Sequence, residues 1–177
     1  MTDEILAGRI DIRPCRDRDA DLLEEVATSP GTSRFHHSRF ARQVAGEAVY
    51  LIAWLDGSPI GNLCLILGGP DNDEVANKLV AGPEINAFDV YPDWRDRGVG
   101  SALIAAAERM AHERGDLGVV LGVEVSNHAA RRLYERLGYR DWGRGESHDS
   151  YTWLDDNGDE HLQEEVAIWM EKRFSDG

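Results

Sequence analysis

The amino-acid sequence predicts an α/β fold of the α+β type, in which helices flank a mixed, mostly antiparallel sheet with one parallel strand pair. Two features predict this fold. Two apolar runs meet at Asp56 and Gly57, a dipeptide that is typical of tight antiparallel hairpins. Later in the chain a strand, a helix and a second strand follow one another within about 40 residues. This is the crossover connection of parallel strands.

The first forty residues contain one strand signal and one helix signal. Residues 10–13 alternate between apolar and polar side chains, as a strand does. Asp17 or Asp19 can cap a helix that runs to about residue 27. Residues 29–40 are rich in Arg, His and Phe and are interpreted as a loop or a short helix. The apolar face of the first helix is predicted to comprise Leu22, Leu23 and Val26.

The predicted hairpin and the loop after it precede the crossover. The hairpin strands cover 48–55 and 60–67. Residues 68–82 are polar and contain many turn-forming residues, so they are predicted to form a loop with a helical turn near 75–79.

The crossover begins with a strand over 84–90. A turn at 91–97 leads into a helix over 101–114, which Gly115 is placed to end, and 119–125 form the next strand. The helix presents an apolar face of Leu103, Ile104, Ala107, Met110 and Ala111.

A second helix follows the crossover, capped by Asn127 and ended by Gly138. Its inner face is predicted to comprise Ala130, Leu133, Tyr134 and Leu137. The remaining residues indicate short strands at 139–142, 151–154 and 166–172, with a turn at 155–158. The sequence contains no repeat and no linker, so residues 1–177 are predicted to form one domain.

Composition excludes several classes of protein. The chain has 33 acidic and 19 basic residues and a net charge of -14, whereas nucleic-acid binding needs clustered Lys and Arg. No apolar run reaches the roughly 18 residues of a membrane span, and residues 1–8 lack a signal-peptide profile. Cys15 and Cys64 cannot form a disulfide framework, and Cys64 is predicted to be buried. These features predict a cytoplasmic protein without a nucleic-acid or membrane partner.

The acidic charge is unevenly distributed along the chain. Residues 84–140 have nine acidic and eight basic side chains, whereas 141–177 have eleven and three. An anionic ligand is therefore expected to bind in the nearly neutral middle segment.

A glycine-containing turn lies between the strand and helix of the crossover. Gly98 and Gly100 let the backbone approach a ligand, and their amides lie at the positive end of the following helix, which is typical of a phosphate site. An ordinary tight turn is the alternative. A dinucleotide fingerprint would need a third glycine at Leu103, and a P-loop would need a Gly-Lys-Ser/Thr sequence, which the chain lacks.

These residues resemble the GNAT N-acetyltransferase superfamily. Arg95, Gly98 and Gly100 match its acetyl-CoA motif, Arg/Gln-x-x-Gly-x-Gly/Ala, and Val90-Tyr91-Pro92 precede it at the family's spacing. The stretch NHAARRLYERLGY, residues 127–139, matches the next motif. The resemblance covers about 84–142 as the cofactor-binding core. It implies the GNAT fold with a central splayed parallel strand pair, and acetyl-CoA as cofactor with CoA as product.

The resemblance also implies positions for the cofactor. Backbone amides over 97–101 would hold the pyrophosphate, Phe88 and Val90 would line the pantetheine arm, and Asn127 would bond it from the other side. The Val90 amide is the candidate donor to the thioester oxygen. The predicted cofactor-binding residues are Phe88, Asp89, Val90, Arg95, Asp96, Arg97, Gly98, Val99, Gly100, Ser101, Ala102, Asn127, Ala130 and Tyr134.

Two residues are predicted to be catalytic. Tyr134 matches the tyrosine that protonates the departing thiolate, and a core tyrosine is the alternative, because position 134 lies beside the apolar helix face. Glu84 takes the place of the catalytic glutamate of histone-type members. Strand alternation puts it on the same side as Asn86, Phe88 and Val90 and puts Asp89 on the opposite side.

The general base has other candidates. Glu84 follows Pro83 at a strand mouth and could be merely solvated, many family members use an ordered water, and Glu124 ranks below Glu84.

No metal site is predicted, because His36 and His37 lack a third ligand and adjacent histidines are more often surface residues. Residues 147–149 read Ser-His-Asp, but three neighbours in a row cannot form a triad.

The resemblance implies direct transfer of an acetyl group from acetyl-CoA to a primary amine of a small molecule or peptide. A catalytically idle acyl-CoA-binding or sensing module is the alternative, a longer acyl donor is a third, and a homodimer is left open. The acidic flanks suit a cationic amine. A cluster in the loop expected to overhang the acceptor instead suits an acidic or carboxylate-bearing group: Arg34, His36, His37, Arg39 and Arg42.

Overall fold

The computed structural model describes residues 9–175, and these contain seven strands in one sheet. The strands are β1 Asp11–Pro14, β2 Ala48–Leu55, β3 Ser58–Ile66, β4 Glu84–Val90, β5 Gly118–Glu124, β6 Arg140–Leu154 and β7 Glu160–Arg173. The helices are α1 Asp19–Val26, α2 Phe35–Val44, α3 Asp73–Ala76, α4 Val99–Arg114 and α5 His128–Arg136, with a 3-10 turn at Pro92–Trp94. The signal-peptide prediction for residues 1–8 lies outside the described residues.

The strand order is β1-β2-β3-β4-β5-β7-β6. Within residues 9–175 only β4 and β5 pair in parallel, and all other neighbours are antiparallel. This confirms the mixed, mostly antiparallel sheet. The turn between β2 and β3 has the two positive φ angles of a tight hairpin, 49° at Asp56 and 83° at Gly57.

The parallel pair separates soon after it begins. Glu84 lies opposite Val120 and Ile85 opposite Leu121, and no later pair is formed between these two described strands. The predicted splay is therefore present, and it opens a gap between the ends of β4 and β5.

A β-bulge in β4 accompanies the splay. Asn86 lies opposite Cys64 of β3 and Asp89 lies opposite Asn62, so three steps along β4 match two steps along β3. Ala87 has a positive φ of 47° at this point, and the Asn62 side-chain amide donates to its carbonyl at 2.7 Å.

The bulge makes the predicted alternation of β4 wrong. Glu84 and Asn86 lie opposite Ile66 and Cys64 and share their face of the sheet, as does Asp89 beyond the bulge. Phe88 and Val90 pack instead with the apolar cluster of the other face. The extra residue reverses which face later side chains occupy, so Glu84 and Phe88 lie on opposite faces.

Helices cover the two faces of the sheet. Residues of α4 and α5 pack over one face, which we call the α4/α5 face, onto side chains such as Leu65, Ile85 and Leu121. Residues of α1 and α2 pack over the other, the α1/α2 face, onto Tyr50 and Ile52 among others. None of the helices within residues 9–175 is long and apolar enough to cross a bilayer.

Three local predictions were wrong. Arg18 is the N-cap of α1 and makes no capping side-chain bond, because the Asp19 carboxylate accepts from Arg13 and from the Arg16 amide instead. Val26, which is predicted above to lie on the apolar face of this helix, is 51% exposed. The final strands are far longer than predicted, since Gly143 adopts a positive φ inside β6 rather than ending it.

Candidate active site

A cleft of about 740 Å³ opens where β4 and β5 separate. Its walls come from the end of β4, the turn before α4 and one side of α5. Of the predicted cofactor residues, those lining it are Phe88, Asp89, Val90, Arg95, Asp96, Gly98, Gly100, Ser101, Asn127, Ala130 and Tyr134.

The cleft differs from the predicted set in both directions. Arg97, Val99 and Ala102 are not among its lining residues, and the Val99 side chain is buried in the core. Sequence reasoning missed four lining residues of α5, which are Ala129, Arg132, Leu133 and Arg136. Helical spacing could have found them, because they repeat every three to four residues beside Ala130.

The N-terminus of α4 forms one end of the cleft. Gly98 is its N-cap, with a left-handed φ of 81° and no capping side chain, and Ala102 makes a first helical bond to the Gly98 carbonyl at 3.0 Å. The three amides between them therefore have no helical acceptor, and they point with the helix dipole towards the cleft. This donor set fits a phosphate group.

Gly100 keeps the cleft open beside this turn. A Cβ at this position would lie 3.0 Å from Phe88 Cζ and 3.4 Å from Val90 Cγ2. The glycine therefore serves close approach between α4 and β4.

The end of β4 directs its polar groups into the gap. The Tyr91 amide donates to Ile60 of β3 at 3.1 Å, so the preceding Val90 amide points to the opposite edge, towards β5. Arg95 Nε donates to the Val90 carbonyl at 2.8 Å. Across the cleft, Asn127 Oδ1 accepts from the Ala130 amide at 3.1 Å and caps α5, which leaves its amide nitrogen as a donor.

Tyr134 reaches the cleft from α5 on the α4/α5 face. It is 5% exposed, and its ring lies 6.2 Å from that of Phe88 and 5.8 Å from that of Tyr139. Burial raises the pKa of the Tyr134 hydroxyl, so it stays protonated near neutrality. Tyr134 is therefore both a core residue and a lining residue with a proton to donate.

Glu84 faces the opposite side of the sheet, at the start of β4. It is 9% exposed, and Asn86 Nδ2 donates to its Oε1 at 2.7 Å. Burial raises the pKa of the Glu84 carboxyl to about 7, Asp71 and Asp149 act in the same direction, and Asn86 and Arg42 oppose them. The alternative of a merely solvated Glu84 is wrong, because the side chain is buried.

Other carboxylates share the α1/α2 face with Glu84. Glu124 shares this face, because Val120, four residues before it, lies opposite Glu84. Asp149 and Glu165 lie opposite each other on β6 and β7, and burial raises the pKa of Glu165 with help from Glu124 and Asp149. An ammonium group would be attracted to this region.

The tip of the β6–β7 hairpin is bonded to the α1–α2 loop, residues 27–34. Ser33 Oγ accepts from the Leu154 amide at 2.8 Å, and the Thr32 amide donates to the Leu154 carbonyl at 3.2 Å. A Cβ at Gly31 would collide with that carbonyl. The Phe35 and Tyr151 rings meet edge to face at 6.3 Å beside the bridge.

His36 of α2 is buried, whereas adjacent histidines were expected to be surface residues. His36 is 4% exposed, with Nδ1 at 2.6 Å from the Tyr50 hydroxyl and Nε2 at 2.6 Å from the Ala27 carbonyl. Nothing in the sequence around it signals this burial. Ser147 and Asp149 lie on one face of β6 and His148 on the other, so they form no triad. Within residues 9–175 no group of three or more His, Cys, Asp or Glu side chains could hold a metal ion.

Comparison with known proteins agrees with this geometry. The profile of the acetyltransferase (GNAT) family matches residues 15–139. An uncharacterized N-acetyltransferase of Methanocaldococcus jannaschii is 35% identical over 98 residues, which are 54% of this chain and 40% of that protein. A Bacillus subtilis protein, provisionally named ribosomal protein bS18-alanine N-acetyltransferase, is 28% identical over 159 residues, 89% of this chain and 95% of that one.

A solved structure shows the same fold with a cofactor. The PaiA N-acetyltransferase of Thermoplasma acidophilum, in complex with coenzyme A, superposes with a TM-score of 0.62 at 18% identity. The alignment covers 93% of this chain and 99% of that one. The solved structure confirms the predicted fold. The profile match over most of the chain confirms the predicted family, an acyltransferase family with acetyl-CoA as cofactor, and this chain belongs to the acetyltransferase (GNAT) family.

Proposed function

We propose that this protein transfers an acetyl group from acetyl-CoA directly to the primary amine of a small molecule or peptide. One observation carries the proposal: a buried phenol, Tyr134, lines the gap on one face of the sheet, and a buried carboxyl, Glu84, lies on the other face where β4 and β5 are still paired. A base on one side and an acid on the other suit direct attack, in which the amine enters from one face as the sulfur leaves towards the other.

The cleft residues fit the cofactor. The free amides after Gly98 would hold its pyrophosphate, and charge-assisted bonds of this kind contribute about 1.5 to 3 kcal/mol each. Arg132 and Arg136, one turn apart on α5, add positive charge to the wall. Phe88, Val90 and Asn127 would line the pantetheine arm, with the Val90 amide directed into the gap between β4 and β5.

The bound cofactor supplies an activated thioester carbonyl. Glu84, with a pKa of about 7, takes a proton from the acceptor ammonium directly or through a water molecule. The N–C bond to the acetyl group then forms as the C–S bond breaks. The Tyr134 hydroxyl gives its proton to the sulfur and recovers one from the amine, so one proton is released to solvent overall.

Release of the CoA thiol tests the proposal. A panel of amines is expected to raise release by the wild type above spontaneous hydrolysis. Glu84→Gln should lower kcat/KM by about 10²- to 10⁴-fold, and Tyr134→Phe by about 10- to 10²-fold, because each removes one proton-transfer group. Calorimetry with CoA supplies the control, since neither substitution removes a phosphate donor.

The alternative to this proposal is a catalytically idle acyl-CoA-binding module. It would show as CoA binding without release to any amine, with both variants indistinguishable from wild type. Longer acyl-CoAs test the third alternative, a longer acyl donor, in the same assay. The cytoplasmic location, the single domain and the homodimer stay predictions.

A further inference from the structure

Of the arginines at α2, Arg34 and Arg42 pair with carboxylates and Arg39 does not. Arg34 Nη2 pairs with Asp21 at 3.4 Å, His37 meets the same carboxylate at 3.0 Å, and Arg42 pairs with Glu47 at 3.4 Å. Arg39 is half-buried, yet it forms no ion pair with any carboxylate of residues 9–175.

Aromatic rings hold the Arg39 guanidinium in place. It lies 5.7 Å from the centre of the Phe35 ring and 5.9 Å from that of Tyr50. These contacts restrict the side chain and leave the planar hydrogen-bonding edge of the group without an anion. A half-buried cation without a counter-charge carries a desolvation cost that a bound anion would offset.

Arg39 points to the same face of the sheet as Glu84. Tyr50, against whose ring the Arg39 guanidinium lies, is opposite Cys64 in the pairing of β2 with β3. Cys64 lies opposite Asn86, two residues from Glu84.

The sheet sets the separation between Arg39 and Glu84. Arg39 lies against Tyr50, and Tyr50 is two strands away from Asn86 across Cys64, so roughly 10 Å of sheet separates it from the start of β4. A ligand with an amine at Glu84 needs to bridge only this distance, together with a hydrogen bond at each end, to reach Arg39 with an anionic group.

We propose that Arg39 binds the carboxylate of the acceptor, and that the acceptor is an amino acid or a similarly short amino carboxylate whose amine faces Glu84. This inference rests on the proposed function. It assigns the two kinds of charge on this face to the two ends of one molecule. The carboxylates of Glu84, Glu124, Asp149 and Glu165 attract the ammonium, and Arg39 takes the carboxylate in a bidentate pair.

Matched acceptors test the inference. For amino acids with small, aliphatic, aromatic and acidic side chains, CoA release is measured with the free acid, the amide and the decarboxylated amine. The wild type should show a kcat/KM at least tenfold higher for the best acid than for its amide, mainly through KM. Arg39→Gln should reduce this ratio to about one.

Two further variants separate recognition from folding. Arg39→Lys keeps the charge without the planar fork and should retain only part of the ratio. Arg114→Gln removes an exposed arginine that pairs with Asp116 at 3.1 Å at the C-terminal end of α4, and it should keep the wild-type ratio. Circular dichroism and CoA binding establish that each variant is folded.

The outcomes are distinguishable from failure of the proposed function. Transfer to amides and decarboxylated amines with no preference for acids, in wild type and Arg39→Gln alike, overturns the inference and leaves acetyl transfer standing. Preference for acids that Arg39→Gln leaves intact also overturns it. No transfer to any of the three acceptor forms, while other amines of the panel are acetylated, overturns this inference alone, and no transfer to any amine overturns the proposed function as well.

Discussion

The two faces of the sheet use their polar groups differently around one gap. On the α4/α5 face the cleft is built from backbone: free amides at the N-terminus of α4, the Val90 amide and the close approach at Gly100. On the α1/α2 face it is built from side chains that lie far apart in sequence, such as Arg39, Glu84 and Asp149.

This difference separates the task of holding one fixed cofactor from the task of recognising an acceptor. Backbone donors and helix dipoles are independent of side-chain identity, so they suit a cofactor that does not change. Side chains on two helices and a long hairpin can change singly, so they suit an acceptor that differs between proteins. The bulge at Ala87 joins the two systems, because it directs Glu84 to one face and Phe88 to the other.

The largest expected effect is a pH dependence of stability that comes from Glu84 on the α1/α2 face, which is the proposed acceptor side. The folded protein raises the pKa of Glu84 from 4.5 to about 7, so it holds this proton more tightly than the unfolded chain does. Stability from this group is therefore complete at low pH and declines as pH rises through this range. At about 1.4 kcal/mol per unit, the loss between pH 5 and 8 is roughly 2 to 3 kcal/mol.

Urea unfolding at the two pH values measures this loss. Glu84→Gln should become more stable relative to wild type at pH 8 than at pH 5 by this amount. Glu113→Gln, which removes an exposed carboxylate of α4, supplies the background. A constant difference between wild type and Glu84→Gln across pH would show that Glu84 ionises in the folded protein as it does in the unfolded chain.

On the α4/α5 face, which is the proposed cofactor side, the expected effect is smaller and steric. Gly100→Ala would place a methyl group 3.0 Å from Phe88 Cζ, so this ring, which lines the cleft, must shift by a few tenths of an ångström. We expect the affinity for CoA to fall about tenfold, which is about 1.4 kcal/mol. Calorimetry with CoA and no acceptor measures it, with Gly68→Ala as control because its Cβ would meet open space. An unchanged Kd would place the cofactor away from Gly100.

Sequence reasoning predicted the cofactor side because its signals are local. The bounds of β4, the cap of α5 by Asn127 and the turn at Gly98 each depend on residues a few positions apart. The family resemblance added the order of these parts, which periodicity alone does not supply.

The acceptor side was harder to predict for physical reasons. Ala87 adopts a positive φ although alanine disfavours it, so the bulge that reverses the faces has no sequence signal. His36 is buried by α2 packing against Tyr50, which is a tertiary contact. The length of β6 was missed because Gly143 and Gly145, both with positive φ, resemble a turn.

The smallest expected effect concerns the hydrogen-bonded bridge between the β6–β7 hairpin tip and the α1–α2 loop. Ser33→Ala removes the oxygen that accepts from the Leu154 amide, and a neutral hydrogen bond of this kind contributes about 0.5 to 1.5 kcal/mol. Hydrogen exchange at the Leu154 amide should therefore accelerate about 2- to 12-fold. Because the bridge touches no cofactor residue, CoA affinity should stay unchanged, whereas the acceptor KM should shift by a similar or smaller factor. Ser38→Ala, which removes an exposed hydroxyl of α2, is the matched control. Unchanged exchange at Leu154 would mean that the backbone bond from Thr32, together with the Phe35–Tyr151 contact, holds the hairpin tip by itself.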